Sequence, residues 1–173
     1  MDKANPIHPA STETFGNHVR IEARAQVATI VLERPEQRNA IDRPVAEALA
    51  AAFARFEANP QWRAAVLFGA GGTFCAGADL GALNDDARRN EVHADGSGPG
   101  PLGPTRMTLA KPAIAAIAGY AVAGGSNSRS FAICASWKKT PSSACSAGVW
   151  ACRSSMAAVY ACRVSSACRA RSI

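Results

Sequence analysis

The sequence has no apolar run of about 18 residues, the length that a bilayer-spanning helix needs, and it therefore lacks a candidate transmembrane helix. Aromatic residues make up only 6% of the 173 residues, and histidine occurs three times. A wholly disordered chain is nevertheless excluded, because 48% of the residues are hydrophobic and mean hydropathy is close to zero. Residues 1–17 carry no apolar core like that of a signal peptide, so we expect a flexible N-terminus and a cytoplasmic location.

Several motifs of metal and catalytic sites are also absent. The six cysteines include no C-x-x-C pair and have no histidine beside them, which argues against a zinc site, and a disulfide scaffold conflicts with a cytoplasmic chain. No G-x-S-x-G elbow is present for a serine hydrolase. A dinucleotide fingerprint fails because its last glycine position, counted from Gly69, falls on Phe74.

Acidic residues are confined to one part of the chain. All 13 Asp and Glu residues lie in residues 1–125, whereas residues 126–173 contain seven Lys and Arg, five of the six cysteines and no acid. Such a change indicates either a domain boundary or a break in the reading frame of the gene. The basic segment has no regularly interleaved aromatics, so any nucleic-acid binding is expected to be weak and nonspecific.

Before this change, the pattern of residues 18–125 predicts an α/β core. Apolar residues alternate at Val19, Ile21 and Ala23, and the apolar run at 27–32 predicts a second strand that forms a hairpin with the first. Further buried strands are predicted at 65–68 and 113–118, a mobile connection at 95–104 and a short helical turn at 105–110.

One helix is predicted between the second and third strands. Asp42 is its expected cap, Pro44 lies in its first turn, and residues 59–60 end it. Its apolar face is formed by Val45, Leu49, Ala52, Phe53 and Phe56.

Two segments rich in small residues follow predicted strands, at 71–80 and 119–125. Small residues allow a ligand to approach the backbone, so that peptide N–H groups can face a developing negative charge. Spacing alone leaves the alternative of two ordinary tight turns open.

Residues 27–125 resemble the enoyl-CoA hydratase/isomerase family, also called the crotonase family. Three segments carry the resemblance: Glu33-Arg34-Pro35 through Arg38-Asn39-Ala40-Ile41, Phe74-Cys75-Ala76-Gly77-Ala78-Asp79-Leu80, and Lys111-Pro112 through Ala123-Gly124-Gly125. The resemblance covers about the first half of a usual member and implies a crotonase-like spiral of ββα units, truncated here.

The resemblance implies that acyl-CoA thioesters are the substrates and that no separate cofactor or metal is used, since coenzyme A is part of the substrate. It implies that the backbone N–H groups of Ala78 and Gly124 form an oxyanion hole facing one small cavity. The implied substrate-binding residues are Arg38, Ala40, Ala76, Gly77, Asp79, Leu80 and Gly125. After Leu80 many relatives have a lysine, whereas this chain has Gly81.

The chain departs from the family after Gly125. Hydratases of the family carry two glutamates beyond the glycine run, and residues 126–173 contain none. A one-base loss near the codon of Ser126 explains this, because the shifted frame reads approximately LELALFCDLRVMEEDAV at its start, which resembles the family again. Trp137, Trp150 and Met156 have single codons and limit the freedom of this back-translation.

The expected parent activity is hydration or isomerisation of an enoyl-CoA, in a family that forms homotrimers or hexamers. This chain is expected to be inactive and unable to form them. The alternatives are a noncatalytic acyl-CoA-binding remnant, a nonfunctional frameshift product and a nonspecific binder acting through the basic tail.

Limited proteolysis tests the frame break. Residues 126–173 are mostly Ala, Ser and Cys among unopposed positive charges, without a sustained period of 2 or 3.6, so we predict that they have no stable native core. Trypsin should cut there first, as followed by mass spectrometry. A protected, cooperatively folded fragment from this region would contradict the frame break.

Overall fold

The computed structural model describes residues 11–93, 95–98, 100–125 and 134–137, the last four by their backbone alone. Within these ranges the sheet contains six strands in chain order. They are β1 (Ser11–Phe15), β2 (Val19–Arg24), β3 (Val27–Leu32), β4 (Ala64–Gly69), β5 (Ala113–Ile117) and β6 (Cys134–Trp137), and helix α1 (Arg43–Ala58) connects β3 to β4. Three short 3₁₀ turns lie at Pro35–Gln37, Leu80–Ala82 and Pro104–Arg106.

The predicted hairpin is confirmed. β2 and β3 pair in antiparallel register, with Val19 opposite Leu32 and Ile21 opposite Ile30. Alternate residues of β2 are buried, as its period-2 pattern predicts, while β3 is buried along most of its length.

The strands from β3 onward run parallel. β3 pairs with β4, β4 with β5, and β5 with β6, each in parallel register. The segments that follow β3, β4 and β5 therefore begin at the same edge of the sheet, where ligands bind in many open α/β folds. The segments at 33–41, 71–80 and 119–125, which carry the predicted site residues, lie in these connections.

Helix α1 begins and ends where the sequence predicts. The Asp42 side chain accepts a hydrogen bond from the Val45 N–H at 3.3 Å, Pro44 occupies the first turn, and Asn59 follows the last residue. All five residues of the predicted apolar face are buried, together with Ala46. They pack on β1, β2 and β3 and belong to one hydrophobic core that includes Ile21, Ile30 and Leu67.

The carboxyl end of α1 is closed by a lysine from the segment before β5. The Lys111 ammonium donates to the carbonyl oxygens of Phe56 at 3.0 Å and Asn59 at 2.7 Å, and it lies 5.2 Å from the centre of the Phe56 ring. The last carbonyls of a helix lack internal partners and carry partial negative charge, so a cation there satisfies both deficits.

Two sequence expectations differ from the structure, and a third lies mostly outside the described residues. Residues 11–15, assigned to a flexible N-terminus, form edge strand β1, which pairs with β2; its residues are mostly exposed, so no apolar alternation signalled it. The helical turn predicted at 105–110 is the 3₁₀ turn at Pro104–Arg106 and ends there, since Met107 has an extended backbone. Strand β6 lies within residues 126–173, whose remainder is outside the described residues, so the absence of a stable core in that segment stays a prediction.

Among the described residues, no helix combines the length and the apolar character that crossing a membrane requires.

Lys111→Met should lower the free energy of unfolding by about 1–2 kcal/mol, because the last carbonyls of α1 lose a half-buried cationic donor. Urea titration followed by circular dichroism measures the change. Arg24→Met is the control, since the Arg24 side chain is exposed and bonds to none of the described residues, and it should change stability by less than about 0.5 kcal/mol. Equal losses for the two variants would contradict the capping role.

Candidate functional site

Three loops meet at the edge where β3, β4 and β5 end. Two parallel bridges join them, one between Ile41 and Ala78 and the other between Cys75 and Ala121. The structure thus brings together the three segments that carry the sequence-predicted site residues.

Asn39 ties the first loop to the second. Its side chain is fully buried, accepts a hydrogen bond from the Arg34 N–H at 2.8 Å, and donates to the carbonyl oxygens of Ala70 at 2.8 Å and Thr73 at 2.6 Å. Arg38 and Asn39 both have positive φ, 51° and 56°, a left-handed conformation that is costly for residues with a side chain. The three Asn39 bonds hold the loop in this conformation. Sequence reasoning included Asn39 in a motif but gave it no role of its own.

The N–H group of Ala78 faces away from the first loop. In a parallel bridge, one residue forms hydrogen bonds to the two residues that flank its partner, so the partner's own N–H points to the other side. Here Ile41 bonds to the residues that flank Ala78: the Ile41 N–H donates to the Gly77 oxygen at 2.8 Å, and the Asp79 N–H donates to the Ile41 oxygen at 2.9 Å. The peptide groups on either side of Ala78 are therefore fixed. Its own N–H has no acceptor within the described part of the chain, and the residue is exposed.

Gly124 lies directly against Gly77. A Cβ atom on Gly77 would stand 2.8 Å from the Gly124 nitrogen, and a Cβ atom on Gly124 would lie 3.5 Å from the Gly77 Cα and collide with the Leu102 side chain. Gly77 also has φ 90°, which a residue with a side chain rarely adopts. Within the described residues, the Gly124 N–H donates no hydrogen bond. Two peptide donors without a partner among the described residues, those of Ala78 and Gly124, thus belong to segments in contact.

The other predicted substrate-binding residues differ in exposure. Arg38 and Leu80 are exposed, Leu80 by 75%, and Ala76 is half-buried. Buried positions are Ala40, Gly77, Asp79 and Gly125. A Cβ atom on Gly125 would collide with the carbonyl oxygen of Cys75, so this glycine is required by close backbone packing.

Asp79 is part of a buried network of opposite charges. Its carboxylate pairs with Arg34 at 3.0 Å and with Arg88 at 2.9 Å, and both guanidinium groups also pair with Asp42, at 3.3 Å and 3.0 Å. The side chains of Arg34, Asp42 and Asp79 are each at most 8% exposed, and that of Arg88 is 40% exposed. Because two cations balance two anions, the network adds no net charge beside Ala78. No local sequence pattern indicated it.

Cys75 is a packed thiol and has no nucleophilic role in this geometry. Its sulfur accepts a hydrogen bond from the Gly77 N–H at 3.3 Å, and burial raises its pKa to about 11. A thiol with this pKa stays protonated at neutral pH, and the thiolate is the reactive form.

A cavity of about 590 Å³ lies on the side of the charge network, where Gly16, His18, Gln37, Asp42 and Arg88 are among its lining residues, and a much smaller one lies in the core beside Cys75. Ala78 and Gly124 line neither cavity, so the expected common cavity for their N–H groups stays a prediction. Within the described ranges, His, Cys, Asp and Glu residues do not form a group of three that could hold a metal ion.

Comparison with known proteins gives consistent relatives. The chain is 44% identical over 108 residues to a mevalonyl-coenzyme A hydratase of Beauveria bassiana, covering 57% of this chain and 38% of that protein. It is 34% identical over 122 residues to enoyl-CoA hydratase EchA19 of Mycobacterium tuberculosis, covering 66% and 44%. The chain thus spans about two fifths of the length of these curated relatives.

Solved structures show the same likeness. A probable enoyl-CoA hydratase/isomerase from Mycobacterium abscessus superposes with a TM-score of 0.64 at 36% identity, over 73% of this chain and 47% of that one. A carnitinyl-CoA dehydratase from Mycobacterium avium gives a TM-score of 0.62, also at 36% identity, over 69% and 46%. These likenesses confirm the predicted crotonase-type α/β fold.

A family model described as enoyl-CoA hydratase/isomerase matches residues 22–141. The match extends to residue 141, beyond Gly125, and it does not show a break in the reading frame at Ser126. The frame break therefore stays a prediction. Because the matched residues make up well over half of the sequence, the chain belongs to the enoyl-CoA hydratase/isomerase family.

Proposed function

We propose that this chain binds acyl-CoA thioesters at the edge where its parallel strands end, and that the N–H groups of Ala78 and Gly124 hold the thioester oxygen. The observation that carries the proposal is a pair of donors on contacting loops that have no acceptor in the part of the chain that the structure describes, with Gly77 packed against the Gly124 nitrogen. Peptide donors that the fold fixes in advance are suited to a charge that develops during a reaction.

The relatives support this choice of ligand. They include hydratases of mevalonyl-CoA and (E)-benzylidenesuccinyl-CoA and a dehydratase of carnitinyl-CoA. Their acyl groups differ, whereas the coenzyme A thioester is common to all of them. The part of this chain that resembles them contains both proposed donors, so we assign it to the shared thioester group.

In the parent reaction that we propose for the repaired chain, water adds to the β-carbon of the enoyl group, its proton passes to one of the missing glutamates, and the electron pair of the double bond moves onto the thioester oxygen as an enolate forms. Two N–H groups aimed at that oxygen stabilise the enolate more than the neutral thioester, which lowers the barrier. The neutral charge network beside Ala78 favours this, because an unbalanced carboxylate at Asp79 would repel the forming anion.

Coenzyme A is proposed to lie across the first two loops. Arg38 is an exposed cation that pairs with no described residue, and it is placed to attract the phosphates. The exposed Leu80 offers an apolar contact, and the small residues Ala76 and Gly77 let the chain of the ligand approach the backbone. Ala40, Asp79 and Gly125 act in this proposal by shaping the loops, since all three are buried.

Binding is proposed without hydration. The family resemblance assigns the water to two glutamates beyond Gly125, and residues 126–173 contain no acid. A positioned general acid or base contributes about 100- to 10,000-fold in rate, so the loss of both removes most of the acceleration. We propose a frame error after Gly125 as the origin, with the repaired sequence regaining activity and trimers.

The first test compares binding with turnover. The purified chain should be retained on immobilised coenzyme A and eluted by free crotonyl-CoA, while hydration of crotonyl-CoA stays at the level of a buffer blank because the glutamates are missing. A chain with the reading frame repaired after Gly125 serves as the positive control. Turnover by the original chain well above the blank would contradict binding without hydration, and failure to bind any acyl-CoA would contradict the proposed function.

The second test removes one donor without removing a side chain. Ala78→Pro eliminates the N–H that has no partner among the described residues, and in the repaired chain it should lower kcat about 100- to 1000-fold, the usual effect of losing one oxyanion donor. Ala78→Ser keeps the N–H at an exposed position and should retain most of the activity. Gly124→Val should also abolish activity, because its side chain would collide with Leu102. Equal kcat for the proline and serine variants would refute the role of the Ala78 donor.

A further inference from the structure

The peptide group of Ala78 is held in place through the residue that follows it. The Asp79 carboxylate accepts the Gly81 N–H on one oxygen at 2.9 Å, and on the other it accepts a guanidinium N–H from Arg34 at 3.0 Å and from Arg88 at 2.9 Å. Charge-assisted hydrogen bonds of this kind are short and strong, so the orientation of Asp79 depends on both arginines.

Arg88 also reaches the beginning of helix α1. Its Nε and Nη2 atoms donate to the same Asp42 oxygen at 3.1 Å and 3.0 Å, while the other Asp42 oxygen accepts the Val45 N–H of the first helical turn. One guanidinium therefore joins the segment that carries Ala78 to the N-terminus of α1.

The two arginines differ in how they are built into the fold. Arg34 is buried and also donates to the Ala40 carbonyl. Removing its side chain would leave a cavity and a buried carboxylate without its partner. Arg88 comes from residues 83–93, which form turns and irregular backbone without helix or strand, and its side chain is 40% exposed. In a variant without the Arg88 guanidinium group, water can therefore fill its place with little effect on the core.

The backbone of that segment is anchored independently of the guanidinium group. The Arg43 N–H donates to the Arg88 carbonyl at 2.8 Å, and the Asn90 side chain donates to the carbonyls of Ile41 at 3.1 Å and Pro101 at 2.8 Å. A side-chain substitution at Arg88 leaves these bonds available, so its effect reports on the guanidinium itself.

We infer that Arg88 is a positioning residue for the Ala78 donor: it fixes the Asp79 peptide against helix α1 and cancels the charge of one carboxylate beside the forming enolate. The inference rests on the proposed acyl-CoA function. Without Arg88, two carboxylates share the single cation of Arg34, so a net negative charge stands one residue from the donor. Arg88 touches neither the thioester nor the reacting atoms in this assignment, and it acts through Asp79.

The test uses the full chain and a short enoyl-CoA labelled with ¹³C at the thioester carbon. Infrared spectroscopy of the complex measures the carbonyl stretch, which falls in frequency when the oxygen accepts hydrogen bonds. Arg88→Met is compared with Arg89→Met, the neighbouring arginine whose side chain pairs only with the exposed Asp86 among the described residues. Arg88→Lys keeps the charge but loses the planar fork.

The wild-type chain and Arg89→Met should show the full lowering of the carbonyl frequency. Arg88→Met should show less than half of it, with Kd changed by less than about threefold because the donors are displaced and not removed. Arg88→Lys should lie between them. A full carbonyl shift in Arg88→Met would overturn the inference.

Hydrogen–deuterium exchange gives a readout that needs no ligand. The amides of Asp79 and Gly81 should exchange about tenfold faster in Arg88→Met than in the wild type, with β3 and β4 unchanged, since loss of the ion pair opens only this segment. Unchanged exchange at both amides would overturn the inference.

Two further outcomes have defined meanings. If Arg88→Met also exchanges faster throughout β3 and β4, the substitution has disrupted the fold, and Arg88→Lys becomes the deciding variant. A wild-type carbonyl shift in Arg88→Lys would then overturn the inference that the planar guanidinium group of Arg88 is required. If the wild-type chain binds no enoyl-CoA, the proposed function fails, while the exchange comparison still decides whether Arg88 holds the Asp79 segment.

Discussion

Parallel pairing of β3, β4 and β5 is the constraint on which the rest of this structure depends. Each of these strands ends at the same edge of the sheet, so the segments that leave them must share one small region. They do so through backbone bridges between Ile41 and Ala78 and between Cys75 and Ala121. Ordinary backbone hydrogen bonding, and not a cluster of reactive side chains, therefore builds the candidate site.

Electrostatic neutrality is the second requirement at this edge. Carboxylates as buried as Asp42 and Asp79 lose most of their hydration, which is costly unless opposite charges compensate them. Arg34 and Arg88 supply that compensation with both carboxylates shared between both guanidinium groups. With these charges balanced, the network adds no net negative charge that would oppose the proposed binding of an oxygen that gains charge.

Patterns of burial made much of the fold predictable, and pairings between distant residues did not. The bounds of β3 and the Asp42 cap of α1 follow from local sequence, because apolar runs and capping residues report their own surroundings. Strand β1 has mostly exposed residues and no such signal. Arg88 binds a carboxylate 46 residues away, and nothing near it in the sequence specifies that partner.

The candidate site was predictable to a similar degree. Small residues at Gly77, Gly124 and Gly125 indicated close backbone approach, and all three have neighbours where a side chain would stand. The functions assigned to Ala78 and Gly124 came from family resemblance, since a peptide N–H leaves no trace in composition or periodicity. Asn39 was missed as a tie because its three partners come from two loops that only the fold brings together.

Helix α1 is held at both ends by charged side chains from other parts of the chain. Asp42 and Arg88 join its first turn to the site loops, and Lys111 joins its last carbonyls to the segment before β5. The helix therefore connects the loop after β4, which it contacts at its N-terminus, with the segment before β5, which it contacts at its C-terminus. Salt screens a partly exposed ion pair more than direct hydrogen bonds from an ammonium group to half-buried carbonyls. Rising ionic strength should therefore weaken the ion pair between Arg88 and Asp42 before it weakens the hydrogen bonds of Lys111.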